Sequence, residues 1–272
     1  MYRALIPVDR NGNRAYHQAR YVSHLPNASE EVEATVLYVV PTSEFSEDER
    51  VEFEEIDAAV RAAEHLEDEG ITVTRSVDDG GVAEQIVRTA TEFGADEIVV
   101  GGRKRSGIAK VVLGSIAQDV MLSAEQPVTL TGENVGHSDG LRQVLVPVDT
   151  DPERARHQAE YVAQLPAASE AVETTVFYVF PHQDYAGAPS HEFEEIDAAV
   201  EAAEYLEDEG IPVERVATGG EVARTIIDAA EDVDADSIVM GGRKRSGVSK
   251  VVLGSVAQDI SLSAEYPVTL TG

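Results

Sequence analysis

The chain has 272 residues, room for two ordinary domains, and carries 51 acidic against 21 basic side chains, a formal net charge of −30. A surface of that sign repels phosphate backbones and excludes nucleic-acid binding through a broad basic face, while 43% hydrophobic residues exclude wholesale disorder. There is no cysteine, so disulfides, thiolate nucleophiles and cysteine-ligated metals are excluded, and no apolar run approaches the roughly 20 residues of a membrane span.

Residues 4–8 form a short apolar run that predicts a strand, entered directly from Met1 without a signal-peptide pattern. A soluble, cytoplasmic protein with no membrane insertion is expected. Residues 13–24 read as a helix ended before Pro26. Residues 34–40 are unbroken apolar sequence, the mark of a strand buried on both faces. Ser46 with Glu49 has capping-box spacing; beyond it Phe53, Ile56, Val60 and Ala63 recur at helical spacing, and Gly70 stops that helix. Residues 71–77 predict a strand, 82–93 a helix and 97–100 a strand. Gly114-Ser115 opens a helix running through Ser123, and residues 127–131 are a last strand. Alternation of this kind predicts a parallel sheet with helices on both faces, whose ligand site lies beyond the carboxyl ends of the strands.

The pattern then repeats at a constant offset of 140 residues. Ile6-Pro7-Val8-Asp9 returns as Val146-Pro147-Val148-Asp149, residues 101–107 as 241–247, and residues 127–132 as 267–272. The offset never shifts, so we read two domains, 1–132 and 141–272, joined by a linker over 133–140 that lacks apolar periodicity. Acidic residues run the whole length and the only lysines are Lys104, Lys110, Lys244 and Lys250. An acidic, lysine-poor surface suits a cytoplasm of molar salt, where the Debye length falls to roughly 3 Å; a halophilic source is the expectation.

Those four lysines fall in two loops, beside Arg103, Arg105, Arg243 and Arg245, so that eight of the 21 basic residues occupy two short windows. Each loop follows a strand, begins with Gly101-Gly102 or Gly241-Gly242, and leads into a helix at Gly114-Ser115 or Gly254-Ser255. Glycines let backbone N–H groups approach an anion, and a helix N-terminus presents free donors to it; the cations point to phosphate. The alternative is that the glycines make turns, Ser115 with Gln118 and Ser255 with Gln258 form capping boxes, and the cations neutralise nearby carboxylates. Asp9 and Asp149 end the first strand of each copy, where a carboxylate accepts from a base amino group, a ribose hydroxyl or a hydrated metal, or else caps the next helix. His17 and His157 are the only histidines at matching positions and fall inside the first helix, as surface or packing residues. No Gly-x-Ser-x-Gly elbow, His-Glu-x-x-His pair or Walker A loop is present, so no catalytic constellation emerges.

At these residues the chain resembles the universal stress protein family, over both halves. The family's ATP-binding members carry Gly-x2-Gly-x9-Gly-Ser/Thr, which here reads Gly101-x2-Lys104-x9-Gly114-Ser115 and Gly241-x2-Lys244-x9-Gly254-Ser255. The strand endings Pro7-Val8-Asp9 and Pro147-Val148-Asp149 match as well. The resemblance implies two tandem open five-stranded parallel sheets, order 3-2-1-4-5, of the Rossmann-like α/β class. It places adenine near Asp9 and Val39, with ribose and phosphates along Gly101, Gly114, Ser115 and Ile116. In the second copy the counterparts are Asp149, Val179, Gly241, Gly254, Ser255 and Val256. One departure stands out. The family's second glycine is Lys104 or Lys244 here, and that side chain either closes the phosphate site or reaches back to bind it, with Arg103 and Arg243 beside it.

The resemblance also implies ATP or another adenine nucleotide as ligand, with Mg²⁺, and a regulatory protein as partner. Residues 127–131 would pair with 267–271 as an internal dimer, covering two sheet edges, and homodimers are a further expectation. The leading functional reading is a nucleotide-responsive stress module. A nucleotide-free interaction module and a slow Mg²⁺-dependent ATPase are its alternatives.

Overall fold

Alternating apolar runs and amphipathic stretches become a repeated α/β unit in the computed structural model, which describes residues 1–42, 51–104, 111–112, 114–132, 134–135, 140–181, 191–244, 251–252 and 254–272. The first unit, Met1–Val135, opens with β1 (Tyr2–Val8), α1 (Gly12–Ser23), the single turn α2 (Ala28–Glu31) and β2 (Val32–Pro41). It continues through α3 (Asp57–Asp68), β3 (Thr72–Gly80), α4 (Val82–Phe93) and β4 (Glu97–Gly101). A two-strand hairpin follows, β5 (Arg103–Lys104) with β6 (Val111–Val112), and then α5 (Ser115–Ser123) and β7 (Val128–Thr131).

The second unit, Gly136–Gly272, repeats this order. Its elements are β8 (Arg142–Pro147), α6 (Pro152–Ala163), α7 (Ala168–Ala171), β9 (Val172–Pro181), α8 (Asp197–Asp208) and β10 (Val213–Gly220). They continue as α9 (Val222–Asp232), β11 (Ser237–Gly241), β12 (Arg243–Lys244), β13 (Val251–Val252), α10 (Ser255–Ser263) and β14 (Val268–Thr271). Most of the expected linker, and the expected Ser46–Glu49 capping box, lie outside the described residues.

Within the first unit the strands run parallel in the order β3-β2-β1-β4-β7, and the second follows suit as β10-β9-β8-β11-β14. This is the α/β class expected from the alternation and the strand order that the resemblance implies. The apolar run in β2 is buried at eight of its ten positions, which requires cover on both faces. That cover comes from two helix pairs, α1 with α3 and α4 with α5. Leu5, Ile6 and Leu37 are fully buried, each stabilising the fold by about 1.5–3 kcal/mol. The outer strand β3 has no fully buried residue and carries Thr72, Arg75, Asp78 and Asp79, polar side chains that suit an edge.

Helix α1 buries Ala15, Gln18, Ala19 and Val22, the i, i+3, i+4, i+7 stripe of a helix lying on a sheet. Its N-cap is Asn11, whose side chain accepts from the Arg14 N–H at 3.0 Å. In α6 the N-cap is Asp151, with Pro152 in the first turn. Gly70 takes φ +83° just past α3, a left-handed turn that accounts for the glycine stop.

The long helix expected through Phe53 is corrected. Phe53–Glu55 is a 3-10 turn closed by a Glu52–Glu55 capping box, and α3 begins only at Asp57. Phe53 and Ile56 are nonetheless buried, because one tight turn followed by a helix keeps apolar residues three apart on one side. Among the described residues no helix is long and apolar enough to cross a membrane.

Candidate functional site

Strands β1 and β4 pair only through Ala4↔Glu97 and Leu5↔Ile98. Beyond that point they part, and Pro7 has no N–H with which to continue the ladder. The parting is the switch point of the sheet, where α1 leaves on one side and β4 begins the other half. Gln18, buried to 2% exposure, bridges it: its Nε2 donates to the Pro7 carbonyl at 2.7 Å and to the Val99 carbonyl at 2.8 Å. Gln158 repeats the arrangement on Pro147 at 2.8 Å and Val239 at 2.7 Å. Two strand-end carbonyls that would otherwise be orphaned are satisfied, and the gap stays open.

Above the bridge lies a cavity of about 280 Å³ in the first unit and about 290 Å³ in the second. Both stand at the small end of ligand pockets, roughly 300–1,000 Å³. Val8, Val39, Val82, Ile86, Val100 and Ile116 give the first cavity apolar walls. Its polar groups are Asp9, Arg10, Arg14 and Gln18. Ile116 is 38% exposed, one of few large apolar side chains left to solvent among the described residues.

Most of the residues singled out from sequence meet here. Pro7, Val8, Asp9, Val39, Gly101, Gly114 and Ile116 line the first cavity. The second is lined by Pro147, Val148, Asp149, Val179 and Gly241 from the strands, and by Gly254, Ser255 and Val256 from the start of α10. Ser115 is exposed beside the first cavity without lining it. Arg103–Lys104 and Arg243–Lys244 form the short strands β5 and β12, antiparallel to β6 and β13. Arg105, Lys110, Arg245 and Lys250 lie outside the described residues. His17 and His157 are half-buried within α1 and α6 and line neither cavity.

Two local expectations are corrected. Gly114 and Gly254, not Ser115 and Ser255, are the N-caps of α5 and α10, with no side-chain cap bond. The Gln118 and Gln258 N–H groups bond instead to the Gly114 and Gly254 carbonyls, at 3.0 and 2.9 Å. A glycine cap leaves the first-turn N–H donors uncapped by side chains and aimed beyond the helix end. Likewise Asp9 does not cap α1. Its Oδ1 accepts from the Asn11 N–H at 2.9 Å, and Arg14 pairs with its Oδ2.

Sequence reasoning missed Arg14 and Arg154. Arg154 donates to Asp149 Oδ2 through Nε at 3.0 Å and Nη2 at 2.6 Å, and its Nη1 reaches Asp151 at 2.6 Å. The arginine stems explain the glycines at the strand ends. A Cβ on Gly101 would sit 3.1 Å from Arg14 Cβ and 3.1 Å from Gln18 Oε1, and one on Gly241 would meet Arg154 and Gln158 at the same distances. The signal was present as Asp-x4-Arg-x3-Gln, repeated at Asp9–Arg14–Gln18 and Asp149–Arg154–Gln158, with Arg and Gln on one helix face.

Tyr38 and Tyr178 flank the cavities from β2 and β9. Arg10 lies over the Tyr38 ring at 5.4 Å, a cation–π contact. The Tyr178 hydroxyl is pushed above its ordinary range, first by burial and then by the charge of Asp149.

A tandem α/β fold with a cavity at each switch point is the architecture of nucleotide-type binding folds. The chain matches the Universal stress protein family over residues 1–132 and again over 140–272, and it belongs to that family. A universal stress protein of Mycobacterium tuberculosis strain H37Rv is 26% identical over 188 residues, 64% of this chain and 61% of its own length. The chain thus spans about three fifths of the length of the curated relatives it matches. One from Methanocaldococcus jannaschii is 25% identical over 150 residues, 50% of this chain and 82% of that one. The crystal structure of a universal stress protein from Archaeoglobus fulgidus DSM 4304 has a TM-score of 0.71 to this chain at 21% identity, covering 99% of this chain and 97% of the other.

Proposed function

We propose that each unit binds one adenine nucleotide, ATP or a smaller relative, and that the chain acts as a nucleotide-responsive stress module. One observation carries the reading: strand-end, glycine and helix-start residues scattered over a hundred positions of sequence surround a single cavity in each unit. The chemistry suits the ligand. Valine and isoleucine walls take the faces of a base, Asp9 or Asp149 accepts from an amino or ribose hydroxyl group, and the starts of α5 and α10 offer N–H donors to phosphate. Arg14 and Arg154 add a cation at the same place. Asp9 is the one carboxylate lining the first cavity among the described residues and already faces Arg14, so Mg²⁺ there would be held chiefly by the nucleotide's own phosphates.

The same pairing weighs against hydrolysis, since a carboxylate engaged by an arginine is a poor general base. It also gives substance to the nucleotide-free reading, in which the Asp–Arg pairs keep the cavities closed on themselves. Signalling would run through a regulatory protein, with the last strands pairing the two units and homodimers as the larger assembly. The dense acidity fits work in molar salt.

Calorimetric titration of ATP with Mg²⁺ in about 1 M KCl tests the proposal. Saturable binding is expected, weakened at least about tenfold by Asp9→Ala with Asp149→Ala while far-UV circular dichroism stays unchanged. No heat with ATP, ADP or AMP would leave the nucleotide-free interaction module.

A further inference from the structure

The bridging glutamines have both amide hydrogens engaged and their oxygens bare. Gln18 Nε2 donates to the Pro7 and Val99 carbonyls at 2.7 and 2.8 Å, and Gln158 Nε2 to those of Pro147 and Val239 at 2.8 and 2.7 Å. Two short bonds to acceptors fix which way each amide points, since turning it over would set Oε1 against two carbonyl oxygens. Oε1 is therefore the atom with hydrogen-bonding capacity left. Among the described residues no donor reaches it in either unit, although the two side chains are only 2% and 1% exposed. Nor is it sealed in the core. Neither Oε1 is among the side-chain atoms buried without a partner, and both glutamines line their cavities. Gly101 and Gly241 keep the oxygen uncovered, since a Cβ at either would stand 3.1 Å from it. An acceptor held in place at such low exposure gains most from a ligand donor and penalises a ligand acceptor.

We infer that Gln18 Oε1 and Gln158 Oε1 are the selective element of the two cavities: a neutral acceptor that takes an N–H or O–H of the ligand, the 6-amino group or a ribose hydroxyl. The inference rests on the proposal that adenine nucleotides are the ligands. It also sets which end of the ligand goes in first. Phosphate oxygens are acceptors and largely deprotonated at neutral pH, so the nucleoside faces the bridge and the phosphates face outward. Glutamine suits both tasks. A leucine would leave the strand-end carbonyls bare, and a glutamate carboxylate would set two more acceptors against them.

The test is calorimetry on the full chain in about 1 M KCl, comparing AMP with inosine monophosphate, 2′-deoxy-AMP and 3′-deoxy-AMP, each of which lacks one donor. At least one analogue should bind about tenfold weaker than AMP. A loss with the inosine form identifies the 6-amino group as the donor, and a loss with a deoxy form identifies the hydroxyl. Because Asp9 and Asp149 are acceptors too, the same ligands are titrated into Gln18→Leu/Gln158→Leu and into Asp9→Asn/Asp149→Asn. The leucine pair should shrink the preference for AMP to within about twofold, and the asparagine pair should keep it. Should the leucine pair fail to fold by far-UV circular dichroism, glutamine side-chain NMR of the wild type decides. AMP should shift the Gln18 and Gln158 Cδ resonances, and the weak analogue should not. Analogues that all match AMP within about twofold, a leucine pair that keeps the preference, or glutamine signals unmoved by AMP overturn the acceptor role and leave nucleotide binding standing. No binding of any of these ligands overturns both.

Discussion

The two units share a backbone plan and part company in where each places its polar groups. At the first residue of β4 the first unit buries a carboxylate. Glu97, with no solvent exposure, opens β4 and accepts from the Tyr2 hydroxyl at 3.0 Å, the Tyr21 hydroxyl at 3.1 Å and the Thr129 hydroxyl. In the second unit Ser237 stands at that position, and the Thr269 and Tyr161 hydroxyls meet each other at 3.5 Å. Toward the cavity the contrast takes another form. Arg10 covers Tyr38 in the first unit. In the second, Tyr178 packs edge-on to Phe180 at 4.9 Å, and Phe180 stacks on His191 at 4.7 Å. The lesson is that the strand-order framework tolerates exchange of charge for hydroxyl or aromatic groups so long as hydrogen-bond partners change with them.

The largest expected effect would break this contrast at Glu97. Glu97→Ala removes the carboxylate acceptor of three buried hydroxyls and leaves a void, so unfolding in urea, followed by far-UV circular dichroism, should show a loss of about 2–4 kcal/mol. Ser237→Ala should cost within about 1 kcal/mol. Equal losses would mean that the hydroxyl cluster, not its carboxylate, organises this part of the unit.

Next comes a shared feature. Gln18→Ala and Gln158→Ala each orphan two strand-end carbonyls, and each should lower stability by about 1–2 kcal/mol. A clear inequality would show that one switch point is held open by something besides the glutamine.

The smallest effect sharpens the contrast at the aromatic end of the second unit. The His191 ring bonds Glu195 at 2.7 Å, and with the Glu192 N–H it holds the Glu195 carboxyl below its ordinary range. Val51 occupies the matching place in the first unit. His191→Ala should raise the Glu195 pKa toward the ordinary value, as followed by side-chain carboxyl NMR through an acid titration. Because the folded value is depressed, the contribution is present above the unfolded carboxyl's pKa and lost as pH falls through the folded one. An unmoved titration would assign the depression to the backbone bond alone.

Some of this was readable in advance because it lives in periodicity. The bounds expected for α4 match those observed, and α1 is displaced by one residue toward the N-terminus at both ends, since twelve residues of amphipathic sequence give a repeated signal. The single turn α2, the 3-10 turn at Phe53 and the hairpin of β5 with β6 are too short to produce one. Gly101 was legible as a special position but for an incomplete reason. An anion approaching the backbone was the expectation, whereas the space its side chain would fill is taken by Arg14 and Gln18.

By itself the sequence determined the duplication, the alternation of strand and helix, and the family pattern, because each is written in spacing along one dimension. Asp9 and Asp149, expected to end the first strands, lie one and two residues past them. Only the tertiary structure decided which side chains of α1 and α6 reach across the parted strands. The Asp9–Arg14 and Asp149–Arg154 pairs and the glutamine bridges depend on how a helix face lies over strand ends. Such convergence is set by packing between elements far apart in the chain, which no local pattern encodes.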